Sequence, residues 1–313
     1  MKWSELDSKT KEDLAARRAA GVPIELLAAE VDMKSSTLGR RLREWNAEYR
    51  VKDGVITVPS SKFITWANGP VLKTECAIIT GDLQLPYMDY SLAAKLLSVG
   101  KSMRDRHVYE PHLIIAGDMF NMDVFSKYPA LHQNIPSFKT EMESGKMFLA
   151  DAKKVFGNDN IHILMGNHER RLFFRLLGHF SAEDIKNLLN AKGTKFYDHS
   201  WIVLNSGGKQ WRLTHQANYS IVNQTVGVKL AHKFKMNIMT HHQHRMSKGY
   251  DTSGEYVVVD NGCLANPVLL DYSNIVDSTS PAMNRGFAMI REGACTMFSS
   301  DDVFMDWELL ELD

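Results

Sequence analysis

The chain has 313 residues, 44% of them hydrophobic and 24% charged, with 37 Lys and Arg set against 37 Asp and Glu. This is the composition of an ordinary globular protein, long enough for one large domain or two smaller ones with an ample core. A net charge of zero excludes a global basic field that would draw the chain onto nucleic acid or membrane, so any such affinity must come from a local patch.

The first 50 or so residues read as helices. Ser8 to Ala20 is rich in Ala, Lys, Arg and Glu and is stopped by Gly21. Pro23 opens a second helix carrying Ile24, Leu26, Leu27 and Val31. Ser35, Ser36 and Thr37 offer a cap for a third, on which Leu38, Leu42 and Trp45 form one apolar stripe. The tight connection around Asp32-Met33-Lys34 makes residues 1–50 resemble a helix-turn-helix domain. Lys34, Ser36, Thr37, Arg40, Arg41 and Arg43 are then its candidate DNA contacts. The competing account is a small bundle whose arginines pair with Glu44 and Glu48, and the acids Glu5, Asp7, Glu12, Asp13, Glu25, Glu30 and Asp32 nearly balance its charge.

Residues 51–74 mix turn formers with short β-prone pieces and read as a linker that packs on the next domain. From residue 75 to the C-terminus the rhythm is strand, polar loop, helix, strand, which is the α/β pattern. Ala77–Thr80 precedes Gly81-Asp82, Leu113–Ala116 precedes Gly117-Asp118, and Ile161–Met165 precedes Gly166-Asn167-His168-Glu169. Helices are expected at Tyr90–Arg104, Phe138–Phe156 and Val222–Phe234, and further strands at Phe196–Leu204, Trp211–Thr214, Ile238–Thr240, Tyr256–Val259 and Phe287–Ile290. The tail from Phe304 to Leu310 is amphipathic.

A single Gly-Asp after a strand is a common turn. Here five strand ends carry Asp, Asn or His in succession, the last two being His215 and His241-His242-Gln243-His244. Imidazole nitrogens with carboxylate and amide oxygens are what a divalent first-row metal takes. Two such metals can share a carboxylate, activate a water and clamp a phosphoryl group.

These motifs resemble the calcineurin-like metallophosphoesterases, whose pattern is Asp-x-His, Gly-Asp-x-x-Asp/Asn, Gly-Asn-His-Asp/Glu, a lone His and Gly-His-x-His. They stand here as Asp82-Leu83-Gln84, Gly117-Asp118 with Asn121, Gly166 to Glu169, His215, and His241 to His244, spanning about Cys76 to Leu264. The resemblance implies a four-layer α/β/β/α sandwich of two mixed sheets. It also implies two divalent metals, the first held by Asp82, Gln84 and His244, the second by Asn167, His215 and His242, with Asp118 bridging. His168 would face the phosphate, steady the transition state and protonate the leaving oxygen. Gln84 departs from the usual His and should favour Mn²⁺ or Mg²⁺ over Zn²⁺; Mn²⁺ is expected first, with Mg²⁺, Fe²⁺ or Zn²⁺ as alternatives. His241 departs from the usual Gly and is expected to pack behind the ligands. Asp123 is a further polar contact beside Asn121, and the loop from Met122 to Ser137, with Lys127, Tyr128 and His132, could line a substrate groove. Among histidines outside the motifs, His162 lies within an apolar strand and is expected to be a satisfied core residue.

A helix-turn-helix joined to such a site, and a likeness of Asp82-x-Gln84-x-Pro86 to bacteriophage members of the family, point to DNA as partner and substrate. The expected activity is that of a metal-dependent phosphodiesterase, an exonuclease or nicking endonuclease. The alternatives are a phosphomonoesterase acting on a phosphoprotein or nucleotide, and a non-catalytic DNA-binding scaffold. Repair nucleases of the family often dimerise, so a homodimer is a possible state. Three separated cysteines, Cys76, Cys263 and Cys295, a polar N-terminus and no apolar run of about 20 residues predict a reducing, cytoplasmic setting, that of an infected host cell if the chain is of phage origin, with no membrane partner.

Overall fold

In the computed structural model, which describes residues 3–19, 22–42, 69–106, 109–127, 135–176, 179–270 and 282–300, the apolar runs beyond residue 75 become strands of two sheets. Arg43, Trp45, Tyr128, His132, most of the expected linker and the tail from Phe304 to Leu310 lie outside the described residues. The chain divides into two compact units, Met1–Thr65 and Trp66–Asp313.

The first unit is helical: α1 (Ser8–Ala19), α2 (Ile24–Glu30) and α3 (residues 35–42). Its small core gathers Leu6, Leu14, Leu27, Ala28, Val31, Leu38 and Leu42. Arg17 of α1 is forked onto Glu30 of α2 at 2.6 and 2.7 Å.

The first described strand of the second unit is β1 (Val71–Lys73), at the end of the expected linker. Next come β2 (Cys76–Thr80), α4 (Tyr90–Asp105), β3 (His112–Ile115), α5 (Phe138–Phe156), β4 (Ile161–Leu164), α6 (Asn167–Arg175), α7 (Ala182–Leu188) and β5 (Lys195–Tyr197). Strands β2 to β5 pair in parallel, as crossover helices require. The chain then enters the other sheet with β6 (Trp201–Ser206), β7 (Lys209–Thr214), α8 (Thr225–Phe234), β8 (Asn237–Thr240), β9 (Met246–Tyr250) and β10 (Val257–Asn261). It returns to the first sheet with β11 (Gly286–Arg291) and β12 (Ala294–Ser299). The sheet orders are β12-β11-β2-β3-β4-β5 and β1-β6-β7-β8-β10-β9, each mixed in direction.

Four layers arise from where the apolar side chains go. One face of the first sheet packs with α4 and α5 around Ile78, Leu113, Ile163, Leu96, Phe148 and Leu149. Its other face meets the second sheet through Ile79, Ile114 and Leu164 against Leu204, Trp211, Leu213 and Met239. Helix α8 covers β8 and β10 with Ala231 over Ile238 and Val258. This is the expected α/β/β/α sandwich, and it explains why β2 and β4 are buried at every position rather than alternately. The caps are local: Asp89 accepts the N–H of Leu92 at the start of α4, and Ser137 that of Thr140 at the start of α5.

One expected strand is corrected. Phe196–Leu204 is not a single run but two, β5 and β6, in different sheets. The polar Asp198-His199-Ser200 interrupts the apolar alternation, and the chain crosses between sheets there. Among the described residues, no helix is long and apolar enough to cross a membrane.

Candidate metal centre

The carboxyl ends of β2, β3 and β4 in one sheet and of β7 and β8 in the other lie together, and each delivers polar residues to one place. The loops after β2 and β3 run side by side: Asp82 N–H donates to the Gly117 carbonyl at 3.0 Å and Gln84 N–H to that of Asp118 at 3.0 Å. Asp82, Gln84, Asp118, His242 and His244 all hold φ between 47° and 75°. Five non-glycine residues in the left-handed region represent strain of about 1 kcal/mol or more each, of the kind that collects at functional sites.

One cluster joins Asp118, Asn167 and His215. The Nδ1–H of His215 donates to the Ala116 carbonyl at 3.1 Å, which leaves Nε2 facing Asn167 Oδ1 at 2.9 Å and Asp118 Oδ2 at 3.3 Å. Ligand atoms of Asp118, His215 and His242 all fall within 4.8 Å of one another, and the His215 and His242 rings are 5.2 Å apart. Asp118 Oδ2 is buried without a hydrogen bond of good geometry. Two oxygens and a nitrogen converging in this way need either a proton on Nε2 or a cation between them. A histidine fixed through Nδ1–H to a carbonyl is the usual second support of a metal ligand. The donors therefore fit a divalent ion.

The second cluster joins Asp82, Gln84 and His244. His244 Nε2 lies 3.1 Å from Asp82 Oδ1 and 3.1 Å from the Gln84 amide nitrogen. A half-turn of that amide presents its oxygen, the atom a cation would take. His242 N–H donates to Asp82 Oδ2 at 2.9 Å, tying the two clusters through the main chain.

Charges in the pocket hold each other. Burial alone would raise the Asp118 carboxyl, but His168 and His215 beside it hold it far below the usual carboxylate range. Asp82 is likewise lowered against its burial by His244 and His215. Burial opposes a charged His215, yet Asp118 and Asp82 raise it to about 9. His242 is pushed down by burial.

His168 is the second residue of α6, and its N–H donates to Asp118 Oδ1 at 2.9 Å. Its Nδ1–H donates to the Asn121 carbonyl at 2.8 Å, and its Nε2 accepts from Arg171 at 2.9 Å. Burial pushes it down to about 4, so it is neutral, and its 3.7 Å approach to Asp118 is not an ion pair. Donation from Nε2 to a leaving oxygen therefore requires both that Arg171 release that atom and that the ring take up a second proton there. Arg171 also donates to the Asn121 carbonyl at 2.9 Å. The sequence carried the signal for this contact in the i, i+3 spacing of His168 and Arg171, legible only once Asn167 is seen to begin a helix.

Other positions find structural partners. Glu169 accepts the main-chain N–H groups of Gly166, Asp118 and Phe120, at 2.9, 3.1 and 2.9 Å. Burial, with Asp118 nearby, raises it to about 7. His241 donates to the Thr214 carbonyl and accepts from Asn261, a buried histidine pushed by that burial down to about 4. His162 lies between His112 and Tyr197, 3.0 Å from each, as a satisfied core histidine. The Asn121 amide goes to Asp123 at 2.6 Å rather than toward the clusters. In the N-terminal unit, Lys34, Ser36 and Arg40 are exposed and Thr37 and Arg41 half-buried; Arg43 lies outside the described residues. The sequence offers no signal for Tyr219, whose ring stands near-perpendicular to that of His242 with centroids 6.5 Å apart.

No protein-family model and no curated protein matches the chain. Solved structures similar to it include vacuolar protein sorting 29 from Cryptosporidium parvum, at 12% identity over 72% of this chain and 97% of that one, with a TM-score of 0.38. A protein from Streptococcus pneumoniae described as a predicted phosphoesterase matches at 13% identity over 73% and 99%, with a TM-score of 0.31. A hypothetical protein from Pyrococcus horikoshii matches at 9% identity over 73% and 88%, with a TM-score of 0.41.

Proposed function

We propose that the chain is a metal-dependent phosphodiesterase that cleaves DNA at a centre of two divalent ions. The observation that carries this is the convergence on His215 Nε2 of Asn167 Oδ1, at 2.9 Å, and the orphaned Asp118 Oδ2, at 3.3 Å, beside the Asp82, Gln84 and His244 cluster. Asn167, His215 and His242 would hold one ion, Asp82, Gln84 and His244 the other, and Asp118 both. When bound, such ions polarise a phosphoryl oxygen and lower the pKa of a water toward neutrality, and Mn²⁺ suits this oxygen-rich donor set.

The remaining work falls to the chain. The Ala116 carbonyl fixes the His215 tautomer, and Glu169 holds the loop of Asp118 against that of Asn167. Arg171 supplies a fixed positive charge next to His168 Nε2, where charge on a phosphoryl group would be neutralised. Once Arg171 turns to the substrate, His168 Nε2 is free to take up a proton from solvent and pass it to the leaving oxygen. The N-terminal helices would dock the substrate through Lys34, Ser36, Thr37, Arg40 and Arg41, with Arg43 next along the chain.

The test is cleavage of supercoiled plasmid, linear duplex and single-stranded DNA with Mn²⁺, Mg²⁺ or chelator, for wild type, Asp118→Ala and His168→Ala. Metal-dependent cleavage lost in both variants is the expected result. Hydrolysis of a small phosphomonoester with no DNA cleavage would move the substrate to a phosphoprotein or nucleotide. Inactivity on every substrate would leave a non-catalytic scaffold.

A further inference from the structure

The nine residues from Gln216 to Gln224 connect the candidate ligand His215 to α8 without helix or strand. Their main chain is nevertheless tied down by buried polar side chains. Gln216 Oε1 accepts the His241 N–H at 3.1 Å, and its amide nitrogen donates back to the His241 carbonyl. Arg245, only 5% exposed, donates to the carbonyls of Ser220 and Ile221. Gln224 N–H donates at 2.6 Å to Asp260, itself buried and held by Thr240 and Ser247. A buried guanidinium needs such acceptors, and together with the Gln216 and Asp260 bonds these contacts fix the path of the loop main chain at both ends and in the middle.

Three large hydrophobic side chains of the same loop reach the surface. Tyr219 is 50%, Ile221 57% and Val222 62% exposed. Gln216 to Gln224 contains no charged residue, so it neither attracts nor repels a phosphate backbone. The Tyr219 ring stands at the edge of the His242 ring, and a nucleobase lies within a few ångström of its own phosphate. A rigid, uncharged, aromatic and aliphatic rim beside a phosphoester centre has the properties of a surface for base faces rather than for phosphates.

We infer that this loop is a stacking platform, on which Tyr219 takes the face of an unpaired nucleobase flanking the scissile phosphate while Ile221 and Val222 cover the neighbouring base or sugar. This rests on the nuclease reading and deepens it by naming the substrate as single-stranded or frayed DNA. A paired, stacked base has no free face to offer. Pre-ordering the loop means that little is lost on binding, and a π-face is common to all four bases, so the platform is tolerant of sequence.

The test uses the full chain with Mn²⁺ and two substrates, a single-stranded oligonucleotide with one preferred cut and the same oligonucleotide with abasic sites flanking that cut. Wild type should show a KM about tenfold lower on the base-bearing strand, the size of one stacking contact. Tyr219→Ala should raise KM on that strand about tenfold and add nothing on the abasic strand, while Tyr219→Trp should restore the wild-type value within about threefold. Thermal unfolding of each variant checks that the fold is retained. Equal wild-type KM on both strands, or an equal effect of Tyr219→Ala on both, overturns the platform while leaving the nuclease reading standing. Wild type that hydrolyses a small phosphoester or phosphopeptide but no oligonucleotide overturns both.

Discussion

The Glu169 carboxylate accepts the main-chain N–H of Asp118 at 3.1 Å and, with the same oxygen, that of Gly166 at 2.9 Å. Two loops from neighbouring strands are thereby bolted together where their candidate ligands must meet. Glu169→Gln places an amide N–H₂ where one acceptor stood, leaving buried donors unpaired at roughly 1–3 kcal/mol each. The expected outcome in a scanning calorimeter is a fall in Tm of several degrees, with weaker Mn²⁺ binding in a titration. An unchanged Tm would mean that the three bonds contribute nothing net.

Gly166→Ala probes the same junction by space alone. Gly166 has an ordinary φ of −85°, but a Cβ there would lie 2.0 Å from Asp118 Oδ1 and 2.3 Å from its nitrogen. Asp118 must move, and with it any shared ligand geometry. Activity and Mn²⁺ affinity should drop by roughly a hundredfold or more, because misplacement by about 1 Å has that effect on positioned groups. Circular dichroism should show the secondary structure intact.

Gln84→His tests the donor set. The backbone there has φ 47°, which histidine tolerates better than most residues. Imidazole binds later first-row metals more strongly than an amide does, so Zn²⁺ affinity should rise roughly tenfold or more relative to Mn²⁺ in competition titrations. An unaltered preference would place Gln84 outside the centre.

Metal addition should stabilise the folded chain. At free Mn²⁺ about a hundredfold above Kd, linkage adds roughly 2.7 kcal/mol, read as a higher Tm that chelator reverses. Asp118→Ala should abolish the shift, since the orphaned Oδ2 is the atom facing His215.

Glu141 sets a pH dependence away from the ligands. Burial raises its carboxyl to about 8, from an ordinary 4.5, and it accepts the Met122 N–H at 2.8 Å. Between those values the unfolded chain is ionised and the folded chain protonated, so this group's contribution to stability falls as pH rises from about 4.5 to about 8 and is flat above. Glu141→Gln keeps the acceptor and removes the titration. Urea unfolding should show the difference between variant and wild type growing across that window, by roughly 2–5 kcal/mol in favour of the variant. Parallel curves would refute it.

The repeated pattern of an apolar run followed by Asp, Asn or His marked the residues that the fold brings together, because strand ends carry the polar loops; that two sheets present those ends side by side is a tertiary fact. Helices α4 and α5 were legible as the segments between the apolar runs, and α5 runs over Phe138–Phe156 as expected. The polar Asp198-His199-Ser200 marks a break in the run from Phe196 to Leu204, but that its two halves pair in different sheets is decided by packing. Sequence periodicity could not show α6, whose first turn is the Asn167-His168-Glu169 motif itself. The tautomers of His168 and His215 depend on the carbonyls of Asn121 and Ala116, which lie 47 and 99 residues away along the chain. The left-handed backbone of Asp82, Asp118 and His242 depends on loops pressed together by two sheets. The chemistry of each candidate ligand is local and was written in its residue type; the aim of each is a long-range property, set by which strands lie side by side.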